Sequence, residues 1–125
     1  PAASVSEVSR TDTRLVLDCE VTEYAKGVTG VDKSKTEVTH TKYEWDLTKL
    51  STTWTYSGPH GNRVQIWGSS RIEEAGAGAV AHEEFNCKVK IPLMGGKIEK
   101  IVLKEVDKYW PKYETLLNEW CAKHK

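Results

Sequence analysis

No run of apolar residues in this sequence approaches the roughly 18 needed to cross a bilayer as a helix, so no integral membrane segment is expected. Nor does either sign of charge prevail. Lys and Arg number 18, Asp and Glu number 18, and no stretch of the chain collects one sign. A basic footprint for nucleic acid or a polybasic membrane patch is therefore not expected. Cysteine is scarce: Cys19, Cys87 and Cys121 are widely spaced, odd in number and free of any C-x-x-C pair. That set is neither a secreted disulfide framework nor a zinc ligand pattern. The N-x-[ST] glycosylation signal is also missing, and Pro1–Val5 does not read as a signal peptide. Together these absences imply a reducing, cytoplasmic setting with no metal and no other cofactor. Phenylalanine is nearly absent too, one residue against five Trp and five Tyr, so most large rings carry a polar atom that needs a partner when buried.

What the 125 residues do contain is alternation followed by helical period. The length suits one domain, 1–125, with a core large enough to need no staple. From 4 to 92 the chain reads as a meander of six antiparallel strands. A short first strand holds Val5 and Val8. Leu15, Leu17, Cys19 and Val21 then alternate with Arg14, Asp18, Glu20 and Thr22, the pattern of a strand with one buried face. Lys26 to Lys35, with Gly27, Gly30 and Asp32, reads as a loop. Thr36 to Leu47 sets Thr39, Thr41, Tyr43, Trp45 and Leu47 against Val38, His40, Lys42, Glu44 and Asp46. Thr52 to Gly58, Arg63 to Glu74 and Ala79 to Ile91 complete the series, turned by Pro59–Asn62 and Gly76–Gly78.

Beyond Pro92 the period changes to 3.6. Ile98, Ile101, Val102, Val106, Tyr109, Tyr113, Leu116, Leu117 and Trp120 form one stripe of a helix spanning 97–123. At 1.5 Å per residue that helix is roughly 40 Å long, and strands of about 10 to 13 residues run about 33 to 43 Å. The match in length leads to an α+β expectation: a curved antiparallel sheet packed on one long C-terminal helix. Pro111, inside the helix, cannot bond the carbonyl of Asp107 and is expected to kink it.

The strand end and turn Lys88-Val-Lys-Ile-Pro-Leu-Met-Gly-Gly-Lys-Ile-Glu99, followed by an amphipathic helix ending Leu117-Asn-Glu-Trp120, resemble the START-like, or SRPBCC, helix-grip superfamily. The likeness is greatest to an uncharacterised bacterial group with a Pro-Leu-x-Gly-Gly-Lys-x-Glu junction. The resemblance implies a cavity between sheet and helix that holds a lipid, sterol, polyketide or other hydrophobic ligand. In a minority of the superfamily that cavity catalyses cyclisation or hydrolysis. The superfamily pattern opens with an extra strand and two short helices that this sequence does not show. Three readings of that difference are open: a fragment, a reduced version of the fold, or a piece supplied by another chain. The expected partners are a small hydrophobic ligand and, on the last reading, a second copy or another chain completing the fold.

The inward faces define the expected pocket. The strands supply Leu17, Cys19, Tyr43, Trp45, Trp54, Tyr56, Ile66, Phe85 and Cys87, and the helix supplies Val102, Val106, Tyr109 and Tyr113. Each ring taken singly also reads as ordinary core. Glu83 is the odd inward residue, beside Ala81 and Phe85. A carboxylate in an apolar cavity holds its proton more tightly and suits general acid or base work, whereas at a bulged strand end it is merely solvated. His40 and His82 fall on the outer face and read as surface residues. Three functions stay open: carrier or sensor of a small apolar ligand, enzyme acting on such a ligand (a cyclase, dehydratase or hydrolase), and protein-interaction module.

Overall fold

A computed structural model describes residues 2–27 and 30–124. Six strands come first: β1 (Ala2–Arg10), β2 (Arg14–Gly27), β3 (Gly30–Asp46), β4 (Ser51–Ser57), β5 (Val64–Ala75) and β6 (Gly78–Val89). They form one open antiparallel sheet in the order β1-β2-β3-β4-β5-β6, so each strand lies beside its neighbour in sequence. One long helix follows, α1 (Gly95–Lys123). The chain thus has the α+β element order of the helix-grip class. It forms two compact units, Pro1–Lys88 and Val89–Lys125.

Short turns with special backbone set the meander. Asp46 Oδ1 accepts the N–H groups of Thr48 and Lys49, at 3.0 and 3.1 Å, and so closes the β3–β4 turn. Gly61 and Gly76, with φ of 54° and 59°, supply the left-handed positions between β4 and β5 and between β5 and β6. The expected loop over 26–35 is corrected: most of it is strand. Ala25 pairs with Asp32, Lys26 with Val31 and Gly27 with Gly30, while residues 28–29 lie outside the described residues. Tyr24 pairs with Thr36, so Lys33, Ser34 and Lys35 bulge out of the register, held where Asp32 Oδ1 accepts from the Ser34 N–H at 2.9 Å. The reason the alternation failed there is exposure: β3 is exposed from Gly30 to Thr36, so neither face needed apolar residues.

Register sorts the sheet into two faces, because directly paired antiparallel residues project the same way. One row runs Leu17, Tyr43, Trp54, Gly68 and the next runs Cys19, Thr41, Tyr56, Ile66. A third runs Leu15, Trp45, Thr52, Ser70. The opposite face carries Asp18 beside Lys42, Val16 beside Glu44 and Glu20 beside His40. It is laced by ion pairs: Arg14 to Glu44 at 3.5 Å, Lys42 to Glu44 at 3.4 Å and His40 Nδ1 to Asp18 at 3.2 Å.

In the Val89–Lys125 unit the Pro-Leu-x-Gly-Gly-Lys-x-Glu junction acquires a physical reason. The Ile91 carbonyl accepts the Gly95 N–H at 2.9 Å, and a Cβ at Gly95 would overlap the Val89 carbonyl oxygen. Only glycine permits that approach. Glu99, one turn on, reaches back so that its carboxylate accepts the Val89 N–H at 2.8 Å. Leu93 sits between them at a φ of 65°, a left-handed conformation rare for a branched side chain. The helix then continues through Pro111, where the Thr115 hydroxyl donates to the Pro111 carbonyl at 3.0 Å.

Candidate functional site

The sheet face that carries the three rows is the candidate site. Its rings are half-buried and specifically seated. Trp54 meets Phe85 with ring centroids 5.7 Å apart and planes tilted by 48°. It can lie flat over β5 because its row neighbour is Gly68, where a Cβ would stand 2.5 Å from the indole and would also overlap the Glu84 carbonyl of β6. Tyr56 folds back over Gly58 in the same manner, its hydroxyl 2.7 Å from where a Cβ would stand. Thr52 is only 3% exposed, and its hydroxyl donates to the Glu44 carbonyl at 3.0 Å, so the row beside Trp45 ends in a satisfied polar group.

Electrostatics divide this face along its length. Burial raises the Tyr56 phenol above its usual range, and the carboxylates of Glu23 and Glu37 raise it further. Those two carboxylates face each other as a cross-strand pair. Burial also raises the Cys19 thiol, with the neighbouring Asp18 charge adding to it. Both groups are therefore neutral at physiological pH, and the face offers hydroxyl, thiol and indole groups among apolar surface, with the Glu23, Glu37 and Glu83 carboxylates on the same face. A thiol held protonated is a poor nucleophile, which argues against covalent chemistry at Cys19.

Two clefts open on the sheet. One of about 420 Å³ lies mainly on the opposite face, lined by Arg14, Glu44, Asp46, Thr53, Ser69 and Arg71 beside Trp45, Thr52 and Ser70. The other, about 440 Å³, is lined by Tyr56, Val64 and Ile66, by Thr55, Gln65 and Trp67 of the opposite face, and by Asn62 of the turn. Both volumes fall in the range of about 300 to 1,000 Å³ usual for small-molecule sites. Trp67 and Gln65 escaped the sequence reading because alternation puts them on the outer face, where Trp67 stands opposite Thr55 in the lining of this cleft.

The remaining expected residues are placed as follows. Cys87 and Phe85 are half-buried on β6. Glu83 does share the ring-bearing face, since the Ser70 hydroxyl donates to its carboxylate at 2.8 Å. Yet it is exposed, as is all of β6 from Gly78 to Glu84, so no apolar cavity encloses it. On the helix, Val102, Val106 and Tyr113 are half-buried, but Tyr109 is 51% exposed. The half-buried line advances by fours through Ile98, Val102, Val106 and Trp110, and Tyr109 falls one residue short of it. Trp110 holds the position expected of Tyr109, edge-on to Tyr113 with centroids 5.9 Å apart. His82 is on the outer face against Glu73 at 2.9 Å, a contact that lowers the Glu73 carboxyl. Among the described residues no group of three or more His, Cys, Asp or Glu is arranged to hold a metal ion, and no helix is long and apolar enough to cross a membrane.

Among known structures, this chain is similar to TTHA0849 from Thermus thermophilus, with a TM-score of 0.51 and 21% sequence identity over 84% of this chain. This chain spans 64% of the length of that structure, and at such identity the likeness speaks for the fold alone. No curated protein matches the sequence. The family model described as "Protein of unknown function (DUF2505)" matches residues 5–121, nearly the whole chain. The chain therefore belongs to the DUF2505 family.

Proposed function

We propose that this protein binds or carries a small, largely apolar ligand, lipid-, sterol- or polyketide-like, on the ring-bearing face of its sheet, as a cytoplasmic START-like protein. The observation that carries this reading is the register. It sets Leu17, Tyr43 and Trp54 in one row, and Cys19, Tyr56 and Ile66 in the next. Rings with polar handles suit a ligand that is mostly hydrocarbon with one or two hydrogen-bonding groups. The junction supports the superfamily placement, because Gly95 and Glu99 each make a contact that explains its position. A second copy is the protein partner this reading includes, paired along β1, which lies at one edge of the sheet and is exposed throughout.

The test is binding of an apolar fluorescent probe together with native mass spectrometry of protein isolated from its source. Trp54→Ala should weaken the probe about tenfold, the scale expected when a buried ring is lost from a binding face. Lys42→Ala, on the other face, should leave it unchanged. Equal binding by the parent and by folded Trp54→Ala, with no retained small molecule, would rule the reading out.

A further inference from the structure

Winding the C-terminal sequence into α1 gathers five lysines on one arc, with Glu105 and Asp107 at its two edges. Lys100, Lys104, Lys108 and Lys112 recur every fourth residue, so they stand in one line with about 6 Å between neighbours along the axis. Lys97 joins the line one turn before Lys100 and two turns before Lys104. All five are exposed. Their own helix offsets part of this charge, with Asp107 one turn after Lys104. Glu105 pairs with Lys108 at 3.3 Å, and Glu99 is turned back onto the Val89 N–H. Lys97, Lys100, Lys104 and Lys112 have no ion-pair partner among the described residues. Like charges four apart repel along a helix, so the line is a local cost to α1 that an external anion relieves.

The same end of the unit presents apolar side chains to water. Leu93 is 100% exposed at the tip of the turn before α1, Met94 beside it is 49% exposed, and Ile101 is 62% exposed. Ile101 stands on the helix between Lys97 and Lys104. Leu93 also holds its left-handed backbone without burying anything, so its side chain meets no need of the folded unit.

We propose that this surface docks on an anionic lipid bilayer, with Leu93 and Met94 entering the boundary between headgroups and acyl chains and the lysine line lying on the headgroups. A bilayer offers both things the surface lacks: a plane of negative charge, and an apolar layer just beneath it. Lysine suits the position because its hydrocarbon stem follows the apolar layer while its ammonium stays in the headgroups. A nucleic acid or an acidic protein would match the lysines but would leave Leu93 in water. The inference goes beyond ligand binding and stands without it, although a carrier of an apolar ligand needs a membrane to load from.

Flotation with vesicles tests it on the whole chain. Vesicles of phosphatidylcholine with about one quarter phosphatidylserine should retain the protein, pure phosphatidylcholine should not, and about 0.5 M salt should release it. Lys97→Glu with Lys104→Glu should weaken retention about tenfold or more. Leu93→Ser should weaken it severalfold, and since Leu93 is fully exposed the circular dichroism should not change. Lys42→Glu, on the outer face of the sheet, should bind like the parent. Equal binding to neutral vesicles, parental binding by both variants, or retention on heparin without retention on vesicles would each overturn the proposal. None of these readouts involves the apolar probe, so failure here and failure of ligand binding are separate results.

Discussion

Gly68 shows how much one side chain's absence does in this sheet. Its strand neighbours Ile66 and Ser70 keep the alternation, and the missing Cβ lets Trp54 cross β5 toward Phe85 while β6 closes up against β5. Gly68→Ala is expected to destabilise the fold by about 3 kcal/mol, because both the Glu84 carbonyl and the indole must move. Urea unfolding checks this; a loss well under 1 kcal/mol would show that the sheet yields easily. Tyr56 and Cys19 make a pH prediction. Both pKa values are raised in the folded state, so the folded chain holds its protons longer than the unfolded one. That contribution is fully present below the unfolded pKa and is lost as pH rises through the folded pKa. Stability should therefore fall on the alkaline side, above about pH 10 for the tyrosine, and Tyr56→Phe should flatten that fall. If the two alkaline unfolding curves coincide, burial of the phenol does not matter to the fold. Neither residue's environment could be read from the sequence beyond its place on the inward face, since Glu23 and Glu37 reach Tyr56 only through register.

At the scale of elements, the strands with one covered face were legible and the exposed ones were not. β2 through Val21 and β3 from Glu37 onward alternate because half-burial selects apolar residues at every second position. The polar segment from Gly30 to Thr36 is equally strand, but its bonds are backbone bonds and leave no mark on side-chain choice. The helix was legible by its period on both sides of Pro111, except that Trp110 and not Tyr109 continues its half-buried line. Proline still costs α1 one hydrogen bond, from position 111 to the Asp107 carbonyl. Pro111→Ala should restore it and stabilise the helical unit by about 1 to 3 kcal/mol, seen as a higher thermal midpoint in the helical circular dichroism signal. An unchanged or lower midpoint would mean that the proline's geometry is required where it stands.

Few apolar side chains of the described residues are fully buried. Among the described residues Val89 is the single buried apolar side chain, while Val5, Val8, Leu93 and Ile101 are each well over half exposed. Exposure of this kind marks surfaces that meet something else. For the sheet edge that something is expected to be a second copy. Association should rise with concentration in sedimentation velocity, and Val5→Lys, which puts a charge on the edge strand, should abolish it. A parent that stays monomeric across the concentration range would remove the second copy as a partner.

The sequence by itself determined the kind and order of the elements and the face to which most side chains belong. It did so because periods of 2 and 3.6 are local, written into consecutive residues by which side is covered. Only the tertiary structure decided which residues stand opposite one another: that Trp54 lies over Gly68, that Glu23 faces Glu37, and that Trp110 and not Tyr109 continues the half-buried line. Those pairings depend on turn lengths, on the bulge after Tyr24 and on the exact pitch of a long helix. They act over separations at which one residue's slip exchanges every neighbour, and no local pattern records them.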